Sequence, residues 1–190
     1  MDTTEPPNFK IVFSPEDDLL FNSARLLIFF EVFSKVKLLE GIDLERLCYY
    51  DFFAANPFII IEKNDPLWLE LELEGFDPCK LEYLSTAQRY RTKRESIKQY
   101  LALLLAKDLI SVENIEGKIL YHITPKGLGV SYKLSSMYAI SYRKSVKFIV
   151  RELKRYKDSE LWENASRWLE AKSFQIDLYD MVEEHKEKNE

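Results

Sequence analysis

The chain has 190 residues, 46% of them apolar and 31% charged, with a formal net charge of −5. That length suits one domain with an appendage, able to bury a core without disulfides or metal, and the acidic balance argues against an indiscriminate nucleic-acid binder. Five glycines disfavour a glycine-rich nucleotide fold, and the longest apolar runs, Leu26–Phe30 and Leu101–Ala106, fall far short of the about 18 residues of a membrane span.

Residues 1–17 read as an extended lead-in with a short apolar stretch at Ile11-Val12-Phe13. At its end Ser14 is suited to cap a helix, with Pro15 at the first helical position and Asp17 in the first turn. Leu19, Leu20, Leu26, Leu27, Phe30, Phe33 and Val36 then recur at spacings near three and four, the pattern of a buried amphipathic helix. Asp43 caps a second helix, with Arg46 where a capping box would carry Glu, and Asn56-Pro57 stops it. Phe58–Ile61 is a short β-branched run. Residues 62–87 form an acidic insertion whose alternation from Trp68 to Glu74 fits either an edge strand or a short helical turn.

A long helix follows from about Thr86 to Asp108, with Ile97, Leu101, Leu104 and Leu105 as its apolar stripe. Leu109–Glu113 and Ile119–Thr124 alternate around Glu116-Gly117 and predict a β-hairpin. Thr124-Pro125-Lys126-Gly127 closes the hairpin and starts another helix. Residues 128–157 read as helical with one bend, and Asp158–Ala171 as a further amphipathic segment. The predicted layout is a lead-in (1–17), a winged-helix domain (18–127) carrying the 62–87 insertion, a helical extension (128–184) and a charged tail (185–190).

The motifs of several chemistries are absent from the sequence. It has no HExxH or cysteine–histidine cluster, no GxGxxG or GxxxxGK[ST], and no GxSxG. His122 lies in an alternating strand and His185 in the tail. Cys48 and Cys79 read as reduced thiols. The acidic N-terminal residues do not resemble a secretory signal. The expectation is a cytoplasmic protein without catalytic residues, metal or cofactor.

Three helices followed by a hairpin is the order of a winged helix, so the expected class is mainly α with a small β-hairpin wing and long C-terminal helices. In a winged helix the third helix enters the DNA major groove and the wing meets phosphates. Here the third helix begins with Arg89, Arg91, Lys93, Arg94 and Lys98, and the wing adds Lys118 and Lys126. These seven are the candidate DNA contacts, with a solvated charged face or an acidic protein partner as the competing explanation. A second basic stretch supplies Arg143, Lys144, Lys147 and Arg151. With Trp68, Trp162 and Trp168 these are the candidate protein-partner residues, because aromatics and Arg are enriched at interfaces. Tyr49, Tyr50, Phe52, Phe53 and Phe58 add to the aromatic excess, for which core filling is the alternative.

Residues 18–157 resemble the middle component of ABC-three-component (ABC-3C) systems, bacterial conflict and anti-phage systems, and are similar to the accessory subunit of Lamassu defence. The residues that carry the resemblance are Tyr-Asp-Phe-x-x-x-Asn-Pro at Tyr50–Pro57, Ile-Thr-Pro-Lys-Gly at Ile123–Gly127, and the long helical stretch that follows. The resemblance implies a non-enzymatic winged-helix subunit beside an SMC/Rad50-like ATPase and an effector, often a nuclease. Double-stranded DNA would be reached through the complex, and no membrane is involved. A stand-alone winged-helix regulator that binds an operator as a dimer is the alternative.

Overall fold

The computed structural model describes residues 18–36, 41–78 and 86–170. The lead-in with its predicted Ser14 cap, Cys79, His185 and the tail lie outside them. The described residues are mainly helical with one two-stranded antiparallel hairpin. In chain order they run α1 (Leu19–Ser34), α2 (Leu44–Ala55), a 3-10 turn (Pro57–Ile59), α3 (Pro66–Leu73), α4 (Thr86–Ala106), β1 (Ile110–Ile115), β2 (Lys118–Ile123), α5 (Pro125–Ser131), α6 (Met137–Leu153) and α7 (158–170).

The caps explain most boundaries. Asp18 caps α1, its carboxylate accepting from the Phe21 N–H at 2.7 Å. Asp43 does the same for α2 through the Arg46 N–H at 3.0 Å, and Asn56 ends α2 with its side-chain amide on the Phe52 carbonyl. Asp65 caps α3 with Pro66 at its first position, which settles the ambiguous 68–74 alternation as helix. The Phe58–Ile61 run is a 3-10 turn and its continuation, not a strand.

α1 is not amphipathic. Every residue from Asn22 to Phe33 except the half-buried Ala24 is buried, while the predicted stripe residues Leu19 and Leu20 are exposed. A helix enclosed all round is a core element, and α4, α5, α6 and β2 pack about it. Tyr49, Tyr50, Phe52, Phe53 and Phe58 belong to the same core, with Trp68 and Trp168 half-buried against it, so most of the aromatic excess fills the interior. The 128–157 stretch divides into α5 and α6, because α5 ends at Ser131 and Ser136 caps a new helix.

The enclosure of α1 traps two charges, and both are answered by hydrogen bonds. Arg25 pairs with Asp51 of α2 at 2.7 Å, and the Tyr142 hydroxyl of α6 donates to the same carboxylate at 2.9 Å. Burial opposes the charge on Arg25, yet Asp51 and the neighbouring tyrosines more than offset it and push its pKa up. Glu31 accepts from Lys35 at 2.6 Å, Ser131 at 2.7 Å and Arg143 at 2.9 Å.

Burial alone favours the neutral acid at Glu31, but those three hydrogen bonds hold the carboxyl below its ordinary 4.5. A carboxyl lowered in the folded state contributes stability that is complete above its unfolded pKa and lost as pH falls through the folded value. The thermal midpoint followed by circular dichroism should therefore fall on acidification below about pH 4.5. Glu31→Gln should flatten that dependence, while an unchanged acid slope in the variant would remove Glu31 from the account.

The hairpin is set by its turn. Glu116 and Gly117 both have positive φ, 51° and 84°, as a type I′ two-residue loop requires. The register runs from Ile115 opposite Lys118 to Ile110 opposite Ile123. On its other side β2 meets the segment between α1 and α2, where Ile42 and Tyr121 exchange backbone hydrogen bonds of 3.2 and 2.9 Å.

Candidate nucleic-acid and partner-binding surface

α4 buries one face and exposes another. Tyr90, Ile97, Tyr100, Leu101 and Leu104 point into the core. Tyr90 stacks on Tyr49 of α2 with ring centroids 5.0 Å apart, which fixes the start of α4 against α2. The five cations at its start therefore do not act as one cluster. Arg91, Arg94 and Lys98, spaced i, i+3 and i+7, share an exposed face. Lys93 turns back toward α1, where its ammonium donates to Asn22 Oδ1 at 2.7 Å and lies over the Tyr100 ring. Arg94 is ion-paired with Glu45 of α2, which raises its pKa. Arg91 and Lys98 make no ion pair among the described residues. Arg89 is exposed on a different side of the helix.

The other two candidate cations, Lys118 at the start of β2 and Lys126 in the first turn of α5, are engaged as well. Lys126 donates to the Lys107 carbonyl at 2.7 Å and lies 3.6 Å from Asp108, so it serves the C-terminal end of α4. Lys118, at the hairpin tip, lies 3.3 Å from the Asp158 carboxylate at the start of α7.

Among the partner candidates, several are spent inside the fold. Trp68 packs on Phe58 with centroids 4.4 Å apart, and Trp168 packs edge-on against Phe53 at 5.6 Å, so both are packing residues. Arg143 holds Glu31 and the Ser131 and Leu134 carbonyls, which makes it an internal clamp between α5 and α6. Lys144 ties α6 to α3 through Glu70 and Glu74. Lys147 and Arg151 stay on the surface, with Arg151 beside Glu152 and over the Phe148 ring. Trp162 is the exposed member of the three tryptophans, at 61%.

Trp162 lines an open cleft of about 540 Å³ formed by α7, the start of α2 and the hairpin tip. Leu44, Tyr49, Ile119 and Leu161 give it an apolar lining, and Asp43, Glu45, Arg46, Lys118 and Asp158 supply its charged groups. Arg46 and Asp158 are functional candidates that the sequence reading missed. Arg46 Nε lies 2.6 Å from Asp158 Oδ1, and its other nitrogens reach the Tyr156 carbonyl at 2.7 Å and the Tyr50 hydroxyl at 3.4 Å. The available signal was a cation in the first turn of a helix, where the macrodipole disfavours it and a nearby anion offsets that cost.

Burial pushes the Cys48 thiol up to about 12, with Glu45 and Asp51 adding to the effect, so it is held protonated. No cluster of three or more His, Cys, Asp or Glu able to hold a metal occurs among the described residues. Nor, among them, is any helix long and apolar enough to cross a membrane.

No curated protein and no solved structure matches the chain. Residues 79–174, just over half of it, match the family described as ABC-three component (ABC-3C) system Middle Component 2. That span starts after the Tyr50–Pro57 motif, takes in α4, the hairpin, α5 and α6, and continues through α7 beyond the reach of the resemblance at residue 157. The chain belongs to the Middle Component 2 family of ABC-3C systems.

Proposed function

We propose that this protein is a non-enzymatic accessory subunit that joins an SMC-like ATPase to an effector in an ABC-3C anti-phage complex of the Lamassu kind, and that it contacts double-stranded DNA within that complex. The observation that carries the reading is the family match over 79–174, which spans the long helix and hairpin that carry the exposed cations.

The reading includes a winged-helix core. α1, α2 and α4 take the places of the three helices, with α3 in the insertion, and β1–β2 is the wing. Two contacts support this. Ile42, between the first two helices, pairs with Tyr121 of β2 in a single antiparallel bridge on the outer edge of the hairpin. α4 also passes into β1 within three residues, through Asp108 at φ 56° and a Leu109 N–H bonded to the Leu104 carbonyl. α4 is then the helix presented to DNA, and Arg91 and Lys98 are the cations on its open face.

The test is DNA binding by the complex assembled with its genomic neighbours. Arg91→Glu with Lys98→Glu should weaken binding to duplex DNA and flatten the salt dependence by about 0.9 in log–log slope per lost phosphate contact, with assembly intact. If the double variant dissociates the complex and DNA affinity per assembled complex is unchanged, this face of α4 is a protein contact.

A further inference from the structure

Asp158 stands between two cations that come from different parts of the chain. Arg46 belongs to the first turn of α2 and Lys118 to the hairpin tip, yet both converge on one carboxylate, at 2.6 Å from Oδ1 and 3.3 Å from Oδ2. Arg46 is fixed there by the Tyr156 carbonyl and the Tyr50 hydroxyl. The Lys118–Asp158 pair is open to water, with the two side chains 66% and 62% exposed. Two cations held on a solvent-facing point, with two oxygens sharing one negative charge between them, is also how a phosphodiester is gripped.

The position adjoins the exposed face of α4. Arg94 of that face pairs with Glu45, the neighbour of Arg46, and Tyr49 stacks on Tyr90 in the same stretch. A duplex lying on α4 would therefore run beside the hairpin tip.

We infer that Arg46 and Lys118 form a phosphate-contact site of the DNA surface and that Asp158 occupies it as an internal phosphate mimic, a latch that holds the wing cation back until the carboxylate is displaced. This rests on the DNA-contacting reading above and adds its regulation.

The experiment is a double-mutant cycle on the full chain in its assembled complex, read by fluorescence anisotropy of a labelled DNA duplex across a salt series. Asp158→Asn keeps an oxygen for Arg46, and so the docking of α7, but removes the competing charge. It should tighten DNA binding about two- to fivefold, the equivalent of a surface ion pair, and steepen the log–log salt slope by about 0.9 per cation released. Lys118→Gln should have a small effect in the wild-type background and a larger one beside Asp158→Asn, and this non-additivity is the signature of the latch. Glu163→Gln removes the same charge from an exposed position of α7 outside the cleft and should change neither quantity.

If Asp158→Asn matches Glu163→Gln, or if the Lys118 effects add, the latch is wrong, while Arg91 and Lys98 still report on the DNA reading by themselves. If the complex binds no DNA and the α4 variants are silent, the DNA reading falls and the latch falls with it.

Discussion

Asp51→Asn should lower the unfolding free energy by about 3–5 kcal/mol, because it strands a charged guanidinium in the core. Arg25 and Asp51 are 4% and 1% exposed, and Tyr142, also fully buried, directs its hydroxyl to the same carboxylate. An arginine does not neutralise itself by losing a proton, so the unpaired charge has no cheap escape. The check is the denaturant midpoint at unchanged slope. Replacing all three groups by apolar ones, Arg25→Met with Asp51→Leu and Tyr142→Phe, should recover most of the loss, since a buried pair stabilises little against a well-packed apolar substitute. A cost below about 1 kcal/mol for Asp51→Asn, within the range of an exposed pair, would contradict this picture of the core.

Gly127→Ala should cost about 3 kcal/mol or more, the upper end for forcing a methyl into a packed site. The added Cβ would fall 2.0 Å from the Leu109 carbonyl oxygen and 2.9 Å from Ile123 Cγ1. The obstruction is backbone, and it is pinned, because the Leu109 carbonyl accepts from both the Thr124 N–H and the Thr124 hydroxyl at 3.1 Å. Thr124 also caps α5 through the Gly127 N–H, so the entry to β1, the end of β2 and the start of α5 meet at this one point. Gly129 is the internal control. It is exposed in the same helix with nothing within 4 Å of an added Cβ, and Gly129→Ala should stabilise by about 0.5–1 kcal/mol. Thermal denaturation of the two variants side by side checks both signs.

The local elements were legible because their signals are short-range. Asp43 and Asn56-Pro57 bound α2, Glu116-Gly117 turns the hairpin, and Thr124-Pro125 starts α5 in sequence as in structure. α3 was ambiguous because Leu69, Leu71 and Leu73 alternate with glutamates at the strand period, while the deciding Asp65-Pro66 cap lay just upstream.

What sequence did not reveal is which faces are covered. Arg25 and Glu31 interrupt an apolar run, and only the presence of Asp51 and Arg143 from distant helices lets α1 be enclosed on all sides. The cations on α4 form one run in sequence, but α1 takes Lys93 and α2 takes Arg94, leaving Arg91 and Lys98 on the open face. Likewise Trp68 and Trp168 are claimed by Phe58 and Phe53, and Trp162 remains at the surface, beside a cleft whose walls are contributed by residues more than a hundred positions apart.

The central claim, that this chain works as a built-in subunit of an ABC-3C assembly, is tested most directly by co-expressing it with the proteins encoded beside it and measuring the mass of what elutes from size exclusion. The account predicts one stable complex containing this chain and an ATPase subunit. Elution of this chain by itself in the presence of those neighbours, at the mass of a monomer or of its own dimer, would contradict it.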